Sequence, residues 1–192
     1  MNISFGKKIP ITKSQIFDNE HQKFIPVTCY KFDCQDKSDF QEIEQMGEDW
    51  RYIGETLGNM RRKLQRRNSG MLSPVIVYTL EKDNGEKLGL CCCDNTERKI
   101  EVNYIETRQD GKHKFAGQVL LASIGTQMIN NSRQWSFIIR NAISSAYDFY
   151  QKKCGFNEND YNSDLQMNRS ETCNFIKQTE QRTKSPIIEL KA

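Results

Sequence analysis

Long apolar runs are missing from these 192 residues. The longest plain one, Val75-Ile76-Val77-Tyr78, is far short of the ~20 residues that a membrane span needs. The opening stretch MNISFGKKIPIT has no apolar segment of the kind a secretory leader carries, so no secretion signal is expected. Histidine is scarce, with only His21 and His113, and no C-x-x-C pair occurs. The usual ligand spacings of a zinc site are therefore absent, and no metal is expected. The excess of positive charge is only +3, too small to call for a nucleic-acid partner. Neither an internal repeat nor a low-complexity linker interrupts the chain. What is present is a modest core in a polar surface: 36% of residues are hydrophobic and the mean hydropathy is −0.75. Cysteines number seven, an odd count, three of them adjacent at Cys91, Cys92 and Cys93. In a chain of this length that is no disulfide framework, and a reducing cytoplasm is the expected compartment.

The length suits one domain spanning 1–192, expected to be α/β with a mixed sheet. Ile9 to Cys34 reads as a β-hairpin turning at Asp18–Lys23. Ser38 is positioned to cap a short helix from Asp39 to Met46, with Gln41 completing a capping box. After Gly47, the residues Trp50, Ile53, Leu57, Met60 and Leu64 recur at helical spacing and predict a second helix. Its basic end, Arg61 to Arg67, reads as a solvated face whose cations complement the helix dipole. Val75 to Glu81 and Leu88 to Cys93 flank the turn signal Asp83-Asn84-Gly85 and should pair antiparallel. In such a strand Cys91 and Cys93 face one way and Cys92 the other, which points to packing rather than catalysis. Beyond the core, Leu165 to Asn168 suggests a last strand, Ser170 caps a helix running through Phe175 and Ile176, and Ile187 to Leu190 form a short apolar run.

The chain is organised around Lys99 to Leu121, KIEVNYIETRQDGKHKFAGQVLL. There an alternating strand, Ile100 to Thr107, runs through a cationic loop into an amphipathic helix burying Leu120, Leu121, Ile124 and Met128. Such a joint aims backbone N–H groups and positive charge at one spot, which suits a phosphate. A second strand, WSFIIR from Trp135, leads to a helix ending on Phe149, Tyr150, Gly155 and Phe156.

These features resemble the GNAT superfamily of acyl-CoA-dependent N-acyltransferases. Lys112-His113-Lys114-Phe115-Ala116-Gly117, followed by Val119, Leu120 and Leu121, stands where the family has Gln/Arg-x-x-Gly-x-Gly/Ala and paired apolar residues. It departs at Lys112 and at Phe115, which replaces a Gly whose backbone angle only Gly adopts cheaply. Ala146-Tyr147-Asp148-Phe149-Tyr150 with Gly155-Phe156 matches the family's A-x-x-F-Y…G-F, with one extra residue before the Gly. The family's Asn three before that Ala is Ile143 here, with Asn141 nearby. The match is good over roughly 73–156.

The resemblance implies a largely antiparallel twisted sheet with splayed central strands, flanked by helices. It also implies an N-acyltransferase that moves an acetyl group from acetyl-CoA to an amine by direct attack in a ternary complex. The diphosphate would meet Lys112, His113, Lys114, Phe115, Ala116, Gly117 and Gln118, with Asn141 near the cofactor. Backbone groups of Tyr104, Ile105 and Thr107 would pair with the pantetheine arm, one N–H facing the thioester oxygen. Glu106 would be the base, Glu101 the reserve, and Tyr150 the acid. The partners implied are acyl-CoA and an amine acceptor, small molecule or protein, with room for a homodimer. A non-catalytic acyl-CoA-binding or interaction module is the alternative on the same fold.

Overall fold

The computed structural model describes residues 8–33, 75–108, 110–159 and 162–190. The helices expected between Ser38 and Arg67 lie outside the described residues. Among the described residues ten strands form one sheet: β1 (Lys8–Asp18), β2 (Lys23–Asp33), β3 (Val75–Lys82), β4 (Lys87–Asn95), β5 (Lys99–Thr107), β6 (His113–Lys114), β7 (Ser136–Ile139), β8 (Asn157–Glu158), β9 (Leu165–Asn168) and β10 (Ile188–Glu189). The spatial order is β10-β1-β2-β3-β4-β5-β7-β9-β8, with β6 also pairing β1. Helix α1 (Ala116–Asn130) follows β6 and α2 (Arg169–Thr183) follows β9. Every pairing is antiparallel except β5 with β7. That one is parallel because α1 returns the chain to the starting end of β5, as a crossover must.

Both faces of the central strands carry buried residues. Ile76, Tyr78, Leu80, Cys91, Cys93, Ile100 and Val102 pack with Val119, Leu120, Leu121, Ile124 and Met128 of α1. Each such apolar side chain removed from water contributes about 1.5–3 kcal/mol. The opposite face holds Val77, Leu90 and Cys92, also buried, beside the polar Thr79, Glu81 and Glu106. The expected alternation of the three cysteines is met: Cys91 and Cys93 face α1 with their sulfurs 3.6 Å apart, and Cys92 turns away. Among the described residues, no helix is long and apolar enough to cross a membrane.

Two sequence expectations need correction. The helix expected to end on the Phe149-Tyr150 motif is a single 3-10 turn, Ser144–Ala146, followed by a π-helical turn, Phe149–Cys154. A π turn spaces its hydrogen bonds one residue wider than an α turn. It thus accommodates the extra residue noted before Gly155. Gly155 closes the turn at φ 81°, with its N–H on Gln151 O at 3.0 Å and the Phe156 N–H on Tyr150 O at 3.0 Å. The second correction concerns the cap of α2, which is Asn168 and not Ser170. The Asn168 side chain accepts from the Glu171 N–H while Glu171 accepts from the Asn168 N–H, a reciprocal box.

Candidate active site

The parallel ladder between β5 and β7 is short. It runs from Lys99 beside Ser136 to Val102 beside Ile139, closed by the Arg140 N–H on Val102 O at 2.9 Å. From there β5 continues to Thr107, whereas the other chain leaves through Asn141, whose φ of 47° turns it aside and whose N–H donates to Asp164 Oδ1 at 3.2 Å. The two strands therefore splay. At the splay β5 also bulges: Cys92 pairs with Tyr104 and Cys93 with Val102, leaving Asn103 as the extra residue. The bulge re-aims the remainder of the strand, so that Ile105 faces α1 while Tyr104 and Glu106 face the other side. Nothing in the strand's composition announces this shift.

Beyond β5 the sequence anticipates one loop from Lys112 to Gln118, and the structure divides it. His113 and Lys114 form β6, paired to Asp18 and Phe17 at the end of β1, and the Lys112 carbonyl accepts from the Asn19 N–H at 2.7 Å. The Lys112 ammonium lies 3.0 Å from Glu20, which raises its pKa. This pair is exposed on both sides and screened by solvent. Lys114 sits 5.7 Å over the Phe17 ring. His113 is no solvated loop residue: its ring is tucked in, with Nδ1 3.2 Å from Asp110 Oδ2.

Phe115 then opens α1 at φ 72° and ψ 0°, the left-handed angle that glycine would adopt freely. A side chain held at that angle carries strain of roughly 1–2 kcal/mol. The helix start carries neither a side-chain cap nor an acidic residue in its first turn. Its N–H groups and dipole favour an anion there. Gly117 lies in that turn in close contact: a Cβ on it would meet the Phe149 ring at 3.0 Å and Thr107 Cγ2 at 3.5 Å. The end of β5, the start of α1 and the Phe149-Tyr150 motif therefore meet at one point. Gln118 adds a tie, its Nε2 donating to Lys153 O at 3.0 Å.

Tyr150 is 7% exposed, its ring packed against Phe149 and Phe156 at centroid distances of 5.3 and 6.2 Å. Burial pushes its phenol well above the ordinary value, and it lies beside Cys91 and Cys154 on the α1 side. Glu106, which the sequence alone would allow to face solvent, is 6% exposed on the opposite face. Glu101, the reserve base, is taken up by Lys99 at 2.8 Å and Arg140 at 3.1 Å, an ion-pair cluster that ties β5 to the end of β7. Sequence reasoning missed Glu81, buried on the Glu106 face with Lys8 at 2.6 Å. In sequence it is one carboxylate among many near a turn.

No protein-family model and no curated protein matches the chain. Solved structures do match it. It is similar to a protein of Exiguobacterium sp. 255-15 assigned as an acetyltransferase, at 12% identity and a TM-score of 0.52, covering 77% of this chain and 97% of that one. It is similar as well to a protein of Klebsiella pneumoniae subsp. pneumoniae assigned as an acyl-CoA N-acyltransferase, at 14% identity and a TM-score of 0.50, covering 74% and 97%. At such identities the likeness is one of fold. The chain has the GNAT fold: a mostly antiparallel mixed sheet, splayed at its one parallel pair and flanked by helices.

Proposed function

We propose that the protein is an acyl-CoA-dependent N-acyltransferase, most simply one that uses acetyl-CoA. The observation that carries this reading is the junction of the β5–β7 splay with the uncapped, left-handed start of α1. A diphosphate needs several N–H donors and local positive charge, and Phe115 to Gln118 supply the donors, with Lys112 and Lys114 adjoining. A pantetheine arm carries amides that pair as a strand would, and Tyr104, Ile105 and Thr107 lie on β5 beyond the end of its ladder with β7. Asn141 borders the other side of that gap.

Placed in the gap, a thioester is reached from both faces of the sheet. The acceptor nitrogen attacks the carbonyl carbon from the Glu106 side, and the carboxylate takes the nitrogen's proton directly or through one water. An N–H of β5 near the Asn103 bulge meets the carbonyl oxygen as charge builds on it. As the tetrahedral intermediate collapses, the carbon–sulfur bond breaks and the leaving thiolate is met from the α1 side by the Tyr150 hydroxyl. The phenol's raised pKa suits it to donating a hydrogen bond over a wide pH range.

Gly117→Glu tests the binding half of this reading. Its side chain would have to displace the Phe149 ring where the end of β5 meets the start of α1, and it brings a negative charge to that uncapped helix start, so in a folded variant coenzyme A binding should vanish by calorimetry. Unchanged affinity would move the site elsewhere. Release of free thiol from acetyl-CoA with a panel of amines tests the chemistry.

A further inference from the structure

The strand β1 carries a bulge at Ile11, between the pairs Pro10–Tyr30 and Thr12–Cys29. Past it, Thr12 faces α1 and bonds Ser123 at 2.7 Å, whereas Lys8 and Pro10 fall on the opposite face. The bulge thus turns Lys8 onto the face that holds Tyr30, Phe32, Thr79, Glu81 and Glu106. There the ammonium lies 2.6 Å from Glu81 Oε2, 4.2 Å from the centre of the Tyr30 ring and 5.8 Å from that of Phe32. The Thr79 hydroxyl donates to the other Glu81 oxygen at 2.7 Å.

These groups make a box for one primary ammonium. Its wall is a carboxylate whose side chain is only 2% exposed, and a carboxylate so placed is strongly unfavourable without a facing cation. Two aromatic faces add attraction for the same charge. The occupant is the chain's own Lys8, whose side chain is 28% exposed. Thr79 pairs with Leu90 and Leu90 with Glu106, which sets the β3 side of the box two strand spacings, roughly 10 Å, from Glu106 on one face, and its Tyr30 wall one spacing further, roughly 15 Å.

We propose that Tyr30, Phe32, Thr79 and Glu81 form an ammonium subsite which Lys8 fills in the free protein and cedes to the second ammonium of a linear diamine acceptor. The acceptor's part in this rests on the N-acyltransferase reading, but the box itself does not. Chemical rescue decides the box. Lys8→Ala should unfold at a lower temperature than the wild type, and millimolar propylammonium chloride should restore part of the loss, with sodium chloride at equal ionic strength as the blank. The wild type and the double variant Lys8→Ala/Glu81→Gln should gain nothing from it. No restoration, or equal restoration in all three proteins, overturns the subsite. Lys8→Met, which keeps the stem and drops the charge, serves in the same titration if Lys8→Ala does not fold.

Kinetics decide the acceptor. Because a second ammonium must displace Lys8 in the wild type, Lys8→Ala shows the full effect. Its kcat/KM for a linear α,ω-diamine with nitrogens roughly 10–15 Å apart should exceed that for the monoamine of equal length at least ~10-fold, as one charge-assisted contact allows, and the wild type should show a smaller preference of the same sign. Glu81→Gln should bring the two together. Equal values in Lys8→Ala or in the wild type overturn the acceptor role. Absence of transfer to any amine overturns the acyl-transfer reading and that role with it, while the propylammonium titration still decides the box.

Discussion

At the scale of single residues, Phe115 and Tyr150 carry the sharpest consequences. Phe115 holds a left-handed angle that a Cβ disfavours, so substitutions there should rank unusually. Phe115→Gly and Phe115→Ala lose the same ring packing against the core, but only the first relieves the strain. The Gly variant should therefore be the more stable of the two by ~1 kcal/mol in urea titration, the reverse of the order inside a helix or strand. An Ala variant as stable as the Gly one would mean that the angle is not kept. Tyr150→Phe keeps the buried ring and deletes the hydroxyl, and should lower kcat at least ~10-fold with affinity for acetyl-CoA nearly retained. Burial raises the phenol pKa, so the folded protein keeps this proton where an unfolded tyrosine would lose it. Stability from this group is complete below about pH 10, the unfolded value, and declines as pH rises past it. The rate should show no alkaline loss from Tyr150 below that point, and a limb near neutrality that Tyr150→Phe removes would refute the assignment. The structure brings Gly117 against the Phe149 ring, and that Phe149, Tyr150 and Gly117 stand in two separate motifs was legible in the sequence. Their environments were not: nothing local says that Lys112 reaches Glu20, that Glu106 is buried, or that Glu81 lies on the same face, because each depends on strands distant in sequence meeting in register.

At the scale of elements, strands and turns were readable wherever periodicity and turn chemistry agreed, as in the β1–β2 and β3–β4 hairpins. Bulges at Ile11 and Asn103 were not, for a bulge is one surplus residue in an otherwise ordinary alternation. The π turn was half visible, as one residue too many before Gly155. Least visible was Arg169, the first residue of α2, whose guanidinium donates to Met128 O, Ile129 O, Asn131 O and Gln134 O at 2.6–3.0 Å. Helix α1 ends with no basic residue in its own last turn, and Arg169 brings positive charge to those terminal carbonyls from the neighbouring helix. Arg169→Ala should destabilise the protein by roughly 2–3 kcal/mol, and Arg169→Lys should recover less than half, since one ammonium cannot reach four acceptors in that fork. Full recovery by lysine in denaturant titration would show that charge alone, without the fork, secures the end of α1.

At the scale of the whole molecule, the sheet divides the proposed chemistry between two faces. The donor arm and Tyr150 belong to the α1 side, the acceptor, Glu106 and the ammonium box to the other, and the two meet only in the gap beyond Val102. Such a layout brings donor and acceptor together in one complex and needs no covalent way-station. The cysteines fit this division as packing. Cys91, Cys92 and Cys93 are fully buried, and burial raises the Cys91 and Cys29 thiols above their ordinary value, so little thiolate forms near neutrality. Replacing Cys91, Cys92 and Cys93 together with alanine should cost stability, about 1 kcal/mol per buried sulfur as for other small core truncations. Turnover per folded molecule should be spared. Initial rates at varied acetyl-CoA and amine should give intersecting lines in double-reciprocal form, the pattern of a ternary complex. Parallel lines, or an acylated cysteine that passes its acyl group on to the amine, would establish a ping-pong route instead. Parallel lines that persist in the triple-alanine protein would place the relay on a group other than these three thiols.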